Sequence, residues 1–389
     1  MLGSTGLFAL NLLATFAPYM LVTMSLNLEY GYGGVSNFGK TLAVAGGAFM
    51  AGLIPGTLLG RLYGVSSSLN YYSDNPQIVS IINSHLSTNI LLSFAIIIAT
   101  LIVAILFGVF LGLLVAYPTK KLRADYLGMT LLAAAQAFLI IGNNYTPLAG
   151  GTFGLAIPDP FAWASNYSVF GLTPGEMRNV VAVAFMLVVV LVMFLLVRKL
   201  THSPLGRLLR GIRDDENSAL ALGKDVERKR LTVMIIASAI AAMAGVLYAF
   251  YTANVISTSF SLVDWTFWPW VMVMLGGAAN DLGVVAGTFI FVAVRQTIVF
   301  YSSVFAPFLP FDVVWLDTLL LGLALIFILI YRPQGLIPEK PIKTINTGIK
   351  GLDSENTEDP LLNSSQHDSL LERLWKRIVL KIEQWQKTA

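Results

Sequence analysis

Long apolar runs separated by shorter polar connections dominate the chain. Nine of these runs predict membrane crossings: residues 7–28, 36–60, 88–117, 126–142, 177–198, 231–252, 265–278, 282–301 and 312–331. A transmembrane helix needs roughly 20 mostly apolar residues, and most of the runs supply them. The run 88–117 is long enough for a tilted helix, whereas 265–278 is short and contains Pro269, which predicts a broken helix. The pattern therefore predicts an all-α, polytopic transmembrane helical bundle of about nine spans, within a range of 8–10.

Lysine and arginine are distributed unequally among the polar connections. They cluster at Lys120, Lys121 and Arg123, in the loop 199–230 and in the segment 332–387, and they are absent from 64–87, 143–176, 253–264 and 302–311. Cytoplasmic loops favour these two residues. The first three segments are therefore predicted inside and the other four outside, with the N-terminus out and the C-terminus in.

Three regions follow from this division. Residues 1–339 form the predicted transmembrane domain, which includes the cytoplasmic loop 199–230. Residues 340–366 have the polar composition of a flexible cytoplasmic linker. Residues 367–389 predict a basic amphipathic helix, with apolar positions at helical spacing from Leu370 onwards. Such a helix suits an anionic membrane surface or a partner protein, and both readings remain open.

Composition supports a membrane protein and narrows the chemistry. Charged residues make up 12% of the chain, against about 25% in soluble domains, and hydrophobic residues make up 56%. The absence of cysteine excludes disulfides, thiolate metal sites and a cysteine nucleophile. His85, His202 and His367 fall in predicted loops or in the tail and form no metal spacing. No catalytic residue, metal or cofactor is predicted, and an intramembrane hydrolase would need a nucleophile–base pair that does not suggest itself.

Residues 34–41 match the phosphate-loop pattern G-x-x-x-x-G-K-T. That pattern functions where a strand of a soluble α/β domain feeds the glycine turn. Here it lies between two apolar runs, and no loop is long enough to hold a nucleotide-binding domain. We interpret the match as a coincidence and its glycines as sites of close helix packing.

The loop 206–223 is the most informative cytoplasmic segment. Asp214 or Asp215 can cap a helix, and Gly223 stands where a helix would stop. This spacing predicts a helix of about two turns, preceded by a basic stripe at every third residue from 207 to 213. A solvated loop that merely follows the positive-inside rule is the alternative.

Polar residues in the apolar runs or at their ends are functional candidates because they are costly in lipid. Glu29, Gln136 and Arg295 are such residues, with Glu29 expected near the cytoplasmic interface. Gln136, Asn143 and Asn144 lie on or just beyond the fourth run, and amides in lipid need partners, so they are candidates for the substrate path. The glycine-rich segment 276–283 fits a tight turn and irregular backbone at membrane depth equally well.

Several segments in order resemble the signatures of one family. They are 25–40 (a Gly-rich turn followed by S-x-G-x-x in the family), 122–131 (L-R-x-x-Y-x-x-x-T-L), 149–158 (T-G-G-x-x-G-L-x-x-I-P in the family), 213–223 (R-x-D-E-x-A-A-x-x-x-G), 275–277 (L-G-G) and 332–336 (R-P-Q-G-L). Over about residues 20–340 the chain resembles the M-type (LivM-like) permeases of branched-chain amino-acid ABC importers. It departs from their pattern at Lys40, Gln136 and residues 217–218.

The resemblance implies a non-catalytic permease subunit that works by alternating access in the plasma membrane of a prokaryote. It implies four kinds of partner: a second (H-type) permease, two ATP-binding subunits, an extracytoplasmic solute-binding protein and membrane lipid, with no nucleic acid. Coupling to the ATPase would fall to Arg213, Asp214, Asp215, Glu216, Ala219 and Gly223, and structural roles to Gly33, Gly34, Gly39, Gly276 and Gly277.

The resemblance leaves the solute open among branched-chain amino acids, urea and short amides. A secondary transporter driven by an ion gradient is the alternative function. It would be expected to carry a carboxylate or histidine relay at mid-membrane, and none is clear in the sequence.

Overall fold

The computed structural model describes residues 3–65, 69–120, 122, 124–167, 171–302, 318–319, 322–323, 326–328, 330–332 and 334–339. Lys121, Arg123, the linker 340–366 and the amphipathic helix predicted at 367–389 lie outside the described residues. So does most of the predicted crossing 312–331, of which only short helical pieces between residues 318 and 331 are described. The three-region division stays a prediction.

Helices account for nearly all the regular structure in the described residues. The α-helices are α1 Ser4–Leu26, α2 Lys40–Leu62, α3 Asn75–Leu86, α4 Ile90–Ala116, α5 Ala124–Asn144, α6 Thr146–Ala149, α7 Pro174–Thr201, α8 Pro204–Asp214, α9 Glu216–Ala221, α10 Val226–Thr252, α11 Trp268–Gly276 and α12 Asp281–Phe300. Two π-helices occur, Asn27–Tyr32 continuing α1 and Val263–Phe267 leading into α11. Short 3₁₀ turns span Pro118–Lys120, Gly151–Phe153, Ala162–Asn166 and Ser257–Ser259. Strand β1 Leu155–Ala156 pairs antiparallel with β2 Asn254–Val255.

Seven helices in the described residues are long and apolar enough to cross a membrane. They are Ser4–Tyr32, Lys40–Leu62, Ile90–Ala116, Tyr126–Asn144, Pro174–Thr201, Val226–Thr252 and Asp281–Phe300. The predicted class, an all-α polytopic bundle, is confirmed. The count of nine and the orientation stay predictions. The predicted crossing 265–278 is a π-helix followed by the short α11, and Pro269 sits in the first turn of α11, where it needs no backbone donor.

Small residues allow α2 and α10 to cross closely at the centre of the bundle. A Cβ on Gly47 would lie 1.9 Å from the Ala242 carbonyl oxygen, and one on Gly245 would lie 1.9 Å from that of Val44. Glycine therefore permits a backbone-to-backbone approach that any side chain would prevent.

Burial sorts the crossing helices into an inner and an outer set. Most residues are buried in α2 (72%) and α10 (78%), with mean hydropathies of 1.8 and 2.3, whereas only 28% are buried in α4 and in α7, whose mean hydropathies are 3.1 and 3.4. The helix α5 is also little buried, at 33%, yet its mean hydropathy is 1.5. Because the other outer helices are much more apolar, the low hydropathy of α5 makes its exposed side a candidate site.

Candidate transport cavity and coupling segment

The helix α9 has the caps that the sequence predicts. The Asp215 carboxylate accepts hydrogen bonds from the backbone N–H groups of Asn217 (2.9 Å) and Ser218 (3.3 Å). The Ser218 hydroxyl donates to the same carboxylate at 2.6 Å, and these bonds hold the pKa of Asp215 below its ordinary value. Beyond the helix, Gly223 has φ +70°, a left-handed conformation that glycine adopts without strain.

Two further residues of the predicted coupling set hold α9 in place. Glu216 Oε2 lies 2.9 Å from Arg230 Nη1, at the start of α10. Ala219 is buried against Ile212 of α8 and Val226 of α10. The segment α8–α9 is thus a compact unit packed on the end of the bundle.

Arg213, the last arginine of the predicted basic stripe, reaches out of this unit. Its Nη1 donates to the Gly31 carbonyl at 2.5 Å, and its Nη2 donates to Glu339 Oε2 at 2.8 Å. Asp214 Oδ1 lies 3.0 Å from the same Nη2. Partial burial alone would lower the pKa of Arg213, but the hydrogen bonds to Glu339 and Asp214 outweigh it and raise the pKa above its ordinary value. Sequence reasoning missed Glu339.

Each predicted structural glycine has a close neighbour that a side chain would meet. A Cβ on Gly33, Gly39 or Gly276 would lie 2.8, 3.0 or 2.2 Å from a backbone carbonyl oxygen. Gly34 and Gly277 have positive φ, at +67° and +106°. Residues 277–280 form a turn between α11 and α12, as the turn interpretation of this segment expects.

A cavity of about 570 Å³ opens beside this turn and the coupling segment. Its lining residues are Tyr30, Gly31, Gly34, Arg213, Ala278, Gln334, Pro338 and Glu339.

A second cavity, of about 270 Å³, brings the three predicted path residues together. Its lining residues are Gln136, Leu139, Ile140, Asn143 and Asn144 of α5, with Ser257, Thr258, Ser261 and Leu262 of the connection between α10 and the second π-helix. We call it the α5 cavity. Sequence reasoning missed the three hydroxyl residues, because hydroxyls in a polar connection carry no signal of their own.

Asn143 gives the α5 cavity an unused hydrogen-bonding group. Its Oδ1 atom is buried and has no hydrogen-bond partner among the described residues. Asn144, by contrast, donates from Nδ2 to the Ile140 carbonyl at 2.8 Å, and Ser257 donates to the Leu139 carbonyl at 2.8 Å. Gln136 is exposed on the outer side of α5. A buried acceptor without a donor is costly, so Asn143 Oδ1 is a candidate to accept a hydrogen bond from a ligand.

Glu29 is completely buried, with its Oε2 2.8 Å from Lys40 Nζ, which is also fully buried. Its expected place near the cytoplasmic interface stays a prediction. Asn37 Nδ2 donates to the other carboxylate oxygen at 3.3 Å. A carboxylate can be held at such a site only with a counter-charge and hydrogen bonds. The lysine of the phosphate-loop match is therefore the partner of an internal carboxylate.

Arg295 is also held by contacts inside the protein. Its guanidinium lies 3.6 Å from the centre of the Trp268 ring, and its Nη1 donates to the Tyr19 hydroxyl at 3.2 Å. Its Nη2 lies 3.7 Å from Asp264 Oδ1, while the other oxygen of Asp264 accepts from Ser261, on the wall of the α5 cavity. Of the three polar candidates in or beside the apolar runs, Gln136 lines the α5 cavity.

These features define a class: a multi-pass helical membrane protein with a cavity lined partly by amides and hydroxyls on an outer helix, and a capped helix packed on the end of the bundle. Residues 8–329 match the family described as the permease component of branched-chain amino acid transport systems, and the chain belongs to this family.

Curated relatives agree with this membership. The chain is 39% identical, over 86% of its length and 94% of the relative's, to the "Probable branched-chain amino acid transport permease protein LivM" of Methanocaldococcus jannaschii. It is 28% identical, over 62% of its length, to the "High-affinity branched-chain amino acid transport system permease protein LivM" of Escherichia coli, and 28% identical, over 58%, to the Salmonella typhimurium protein of that name. These alignments cover 57% and 54% of the two bacterial relatives. No solved structure matches the chain.

Proposed function

We propose that the chain is the membrane-spanning, non-catalytic permease subunit of an ATP-driven importer of branched-chain amino acids in a prokaryotic plasma membrane. Membership of the family and the names of the relatives support the solute class. In this proposal a second permease subunit, two ATP-binding subunits and an extracytoplasmic solute-binding protein complete the transporter. The end of the bundle that carries α8 and α9 faces the cytoplasm.

The observation that carries the proposal is the α5 cavity. It gathers Gln136, Asn143 and Asn144 on a helix that is exposed in the isolated chain although its mean hydropathy is low. Amide side chains at membrane depth are retained where they face protein or water rather than lipid. The exposed side of α5 is therefore the side to which the second permease subunit would dock, and the path would run between the two.

The chemistry of the α5 cavity suits a small aliphatic amino acid. Its volume of about 270 Å³ is close to the lower end of ligand pockets, at about 300 Å³. The orphaned Asn143 Oδ1 can accept a hydrogen bond from an ammonium group, and the Thr258 hydroxyl can donate to a carboxylate. Leu139, Ile140 and Leu262 supply an apolar wall for a branched side chain.

Uptake by the complete transporter tests the solute. Radiolabelled leucine should enter proteoliposomes that contain ATP, and isoleucine and valine should compete better than urea or acetamide. Uptake that needs an ion gradient and persists without ATP would overturn the proposal in favour of a secondary transporter. Preferential competition by urea or acetamide would change the solute class.

Single cysteines test the path, because the natural chain has none. Cysteine at 136, 143 or 144 should react with a small aqueous thiol reagent, and leucine should slow the reaction. Ile102→Cys, on the exposed side of α4, is the matched control and should stay protected by lipid. Equal protection of all four cysteines in every transport state would exclude the α5 cavity from the path.

Two variants test α9 as the element that docks on an ATP-binding subunit. Glu216→Lys replaces an ion pair with Arg230 by a repulsion, and Gly223→Pro removes a backbone N–H that donates to the Leu220 carbonyl and forbids the positive φ. Both should abolish uptake while the chain still inserts into the membrane. If both variants stimulate ATP hydrolysis and take up solute as the parent does, α9 is only a connection.

A further inference from the structure

One carboxylate near the end of the described chain receives two arginines of α8. Arg213 Nη2 lies 2.8 Å from Glu339 Oε2, and Arg210 Nε lies 3.2 Å from Glu339 Oε1. Each oxygen thus has its own guanidinium: Arg213 adds a hydrogen bond to its charge, whereas Arg210 Nε contributes the charge alone. Arg210 is fixed further by the Tyr32 ring, whose centre lies 4.9 Å from its guanidinium carbon.

The segment that carries Glu339 is bound to the turn between α11 and α12. The backbone N–H groups of Leu336 and Ile337 donate to the carbonyls of Leu275 (2.8 Å) and Gly276 (3.1 Å). From the turn itself, Asn280 Nδ2 donates to the carbonyls of residues 337 and 338 at 3.3 and 3.1 Å. The segment 335–339 is therefore a strap that moves with the ends of α11 and α12.

Arg213 joins this strap to the first crossing helix. Its Nη1 donates to the carbonyl of Gly31, in the π-helix that continues α1. Gly34, in its left-handed conformation, leaves the space that the arginine occupies, since a Cβ there would lie 3.0 Å from Arg213 Cγ. Arg213, a residue of α8, thus contacts both the end of α1 and the strap.

We propose that Glu339 is a positioning residue for energy coupling. Through Arg210 and Arg213 it fastens α8–α9 to the ends of α1, α11 and α12, so that a movement imposed on α9 reaches all three crossing helices together. The inference rests on the proposed function, and it adds a residue outside the coupling loop and the specific helices that receive the movement.

The packing of α8 separates this role from simple stability. Leu209 and Ile212 of α8 are buried against the bundle, whereas the Glu339 side chain is 27% exposed. Apolar packing keeps α8 on the bundle without Glu339, but it does not fix α8 against sliding, because dispersion contacts are weak and non-directional. Loss of Glu339 should therefore uncouple the transporter before it unfolds it.

The test uses the complete transporter in lipid and measures uptake and ATP hydrolysis together. Glu339→Ala should assemble and hydrolyse ATP, but the solute taken up per ATP should fall about tenfold, within the range of about 5- to 150-fold that is typical of allosteric couplings. Glu339→Asp, which keeps the charge, should recover part of the ratio, and Glu339→Gln less. Arg228→Ala is the matched control, since Arg228 is exposed at the same end and pairs with Asp225 three residues before it.

Two results would overturn the proposal. One is a parental ratio of uptake to hydrolysis in Glu339→Ala. The other is a loss of assembly or thermal stability in the Ala, Gln and Asp variants in proportion to their uptake, which would make Glu339 a structural residue. If the parent transporter itself takes up no solute on ATP hydrolysis, the proposed function fails first, whatever the Glu339 variants do.

Discussion

In this protein the outer crossing helices are more apolar than the inner ones, whereas in a soluble protein the buried helices are the more apolar. The exposed helices α4 and α7 are the most apolar, and the buried α2 and α10 are less so. The outward residues of α4 and α7 are large and aliphatic, as at Ile98, Ile102 and Leu106 of α4 and at Leu191 and Leu195 of α7. In lipid there is no hydrophobic gain from bringing two helices together, so close packing and polar contacts hold the interior.

The helix α5 fits neither set. It is as exposed as an outer helix but is the least apolar of the crossing helices that the structure describes. Its exposed surface includes Gln136 and Asn144 beside the α5 cavity. We therefore expect the exposed side of α4 to contact lipid and the exposed side of α5 to contact protein or water.

The largest effect is expected at the buried ion pair of the inner set. Lys40→Met leaves the Glu29 carboxylate without its counter-charge in a fully buried position. Removing one partner of a buried pair costs about 3–5 kcal/mol of unfolding free energy. Thermal unfolding of the purified chain in detergent should show the loss.

The double variant Glu29→Gln, Lys40→Met is the control for this pair. It removes both charges, so most of the lost stability should return. If Lys40→Met alone is as stable as the parent, the pair does not hold the first two crossing helices together, and the interior relies on packing alone.

A matched pair of lysines comes next and contrasts the two exposed surfaces directly. Ile102→Lys places a charge at the centre of α4 and should disfavour insertion by about 2.5–3.5 kcal/mol. Gln136→Lys, near the centre of α5, should insert in the assembled transporter but block uptake, because the charge would enter the path. The inserted fraction and leucine uptake are the measurements. Equal insertion defects at both positions would place the exposed side of α5 in lipid.

Hydropathy predicts the inner and outer helices well and fails where tertiary contacts decide. The run 177–198 became Pro174–Thr201, and 231–252 became Val226–Thr252. The run 7–28, however, ended inside the π-helix Asn27–Tyr32, because Glu29 is charged. Its partner Lys40 is brought to it by the fold, and no local pattern specifies that contact.

In the candidate site, too, local patterns predicted some residues and missed those that tertiary contacts bring in. The amides of α5 were predicted because they interrupt an apolar run, and the caps of α9 because capping is local. Glu339 was missed because its partner Arg213 lies 126 residues earlier in the chain. Ser257 and Ser261 were missed because they line the cavity only when the fold places them against α5, and no local pattern specifies that contact.

A smaller effect is expected where two crossing helices are joined by buried neutral polar groups. The hydroxyls of Thr23 on α1 and Thr288 on α12 lie 2.9 Å apart, both buried. Thr23→Val should lower the unfolding free energy by about 0.6 kcal/mol and by no more than about 1.7, as for other hydrogen bonds between membrane helices. Thr297→Val, exposed on α12 and bonded to the Ala293 carbonyl of its own helix, is the control and should change little. A loss at Thr23 as large as at Lys40 would mean that charge is not what distinguishes the buried pair.

The smallest effect concerns a carboxylate that stays in water. Asp215 is fully exposed, so it lacks the burial that makes Glu29 costly, and its pKa is lowered by the hydrogen bonds of Ser218 and Asn217. Because the pKa is lower in the folded state, the cap stabilises α9 above the ordinary aspartate pKa of 3.8 and loses that contribution as the pH falls through the lowered value. Hydrogen-exchange protection of the amides at 217 and 218 should therefore decrease only below about pH 4.

Asp215→Asn keeps a capping side chain that does not titrate, so its protection should show no such pH dependence. Both chains should transport equally at neutral pH. A protection loss in the parent that begins well above pH 4 would show that the carboxylate is not stabilised by its cap. Exposure to water would then not explain why the charge of Asp215 can be removed while the charge of Lys40 cannot.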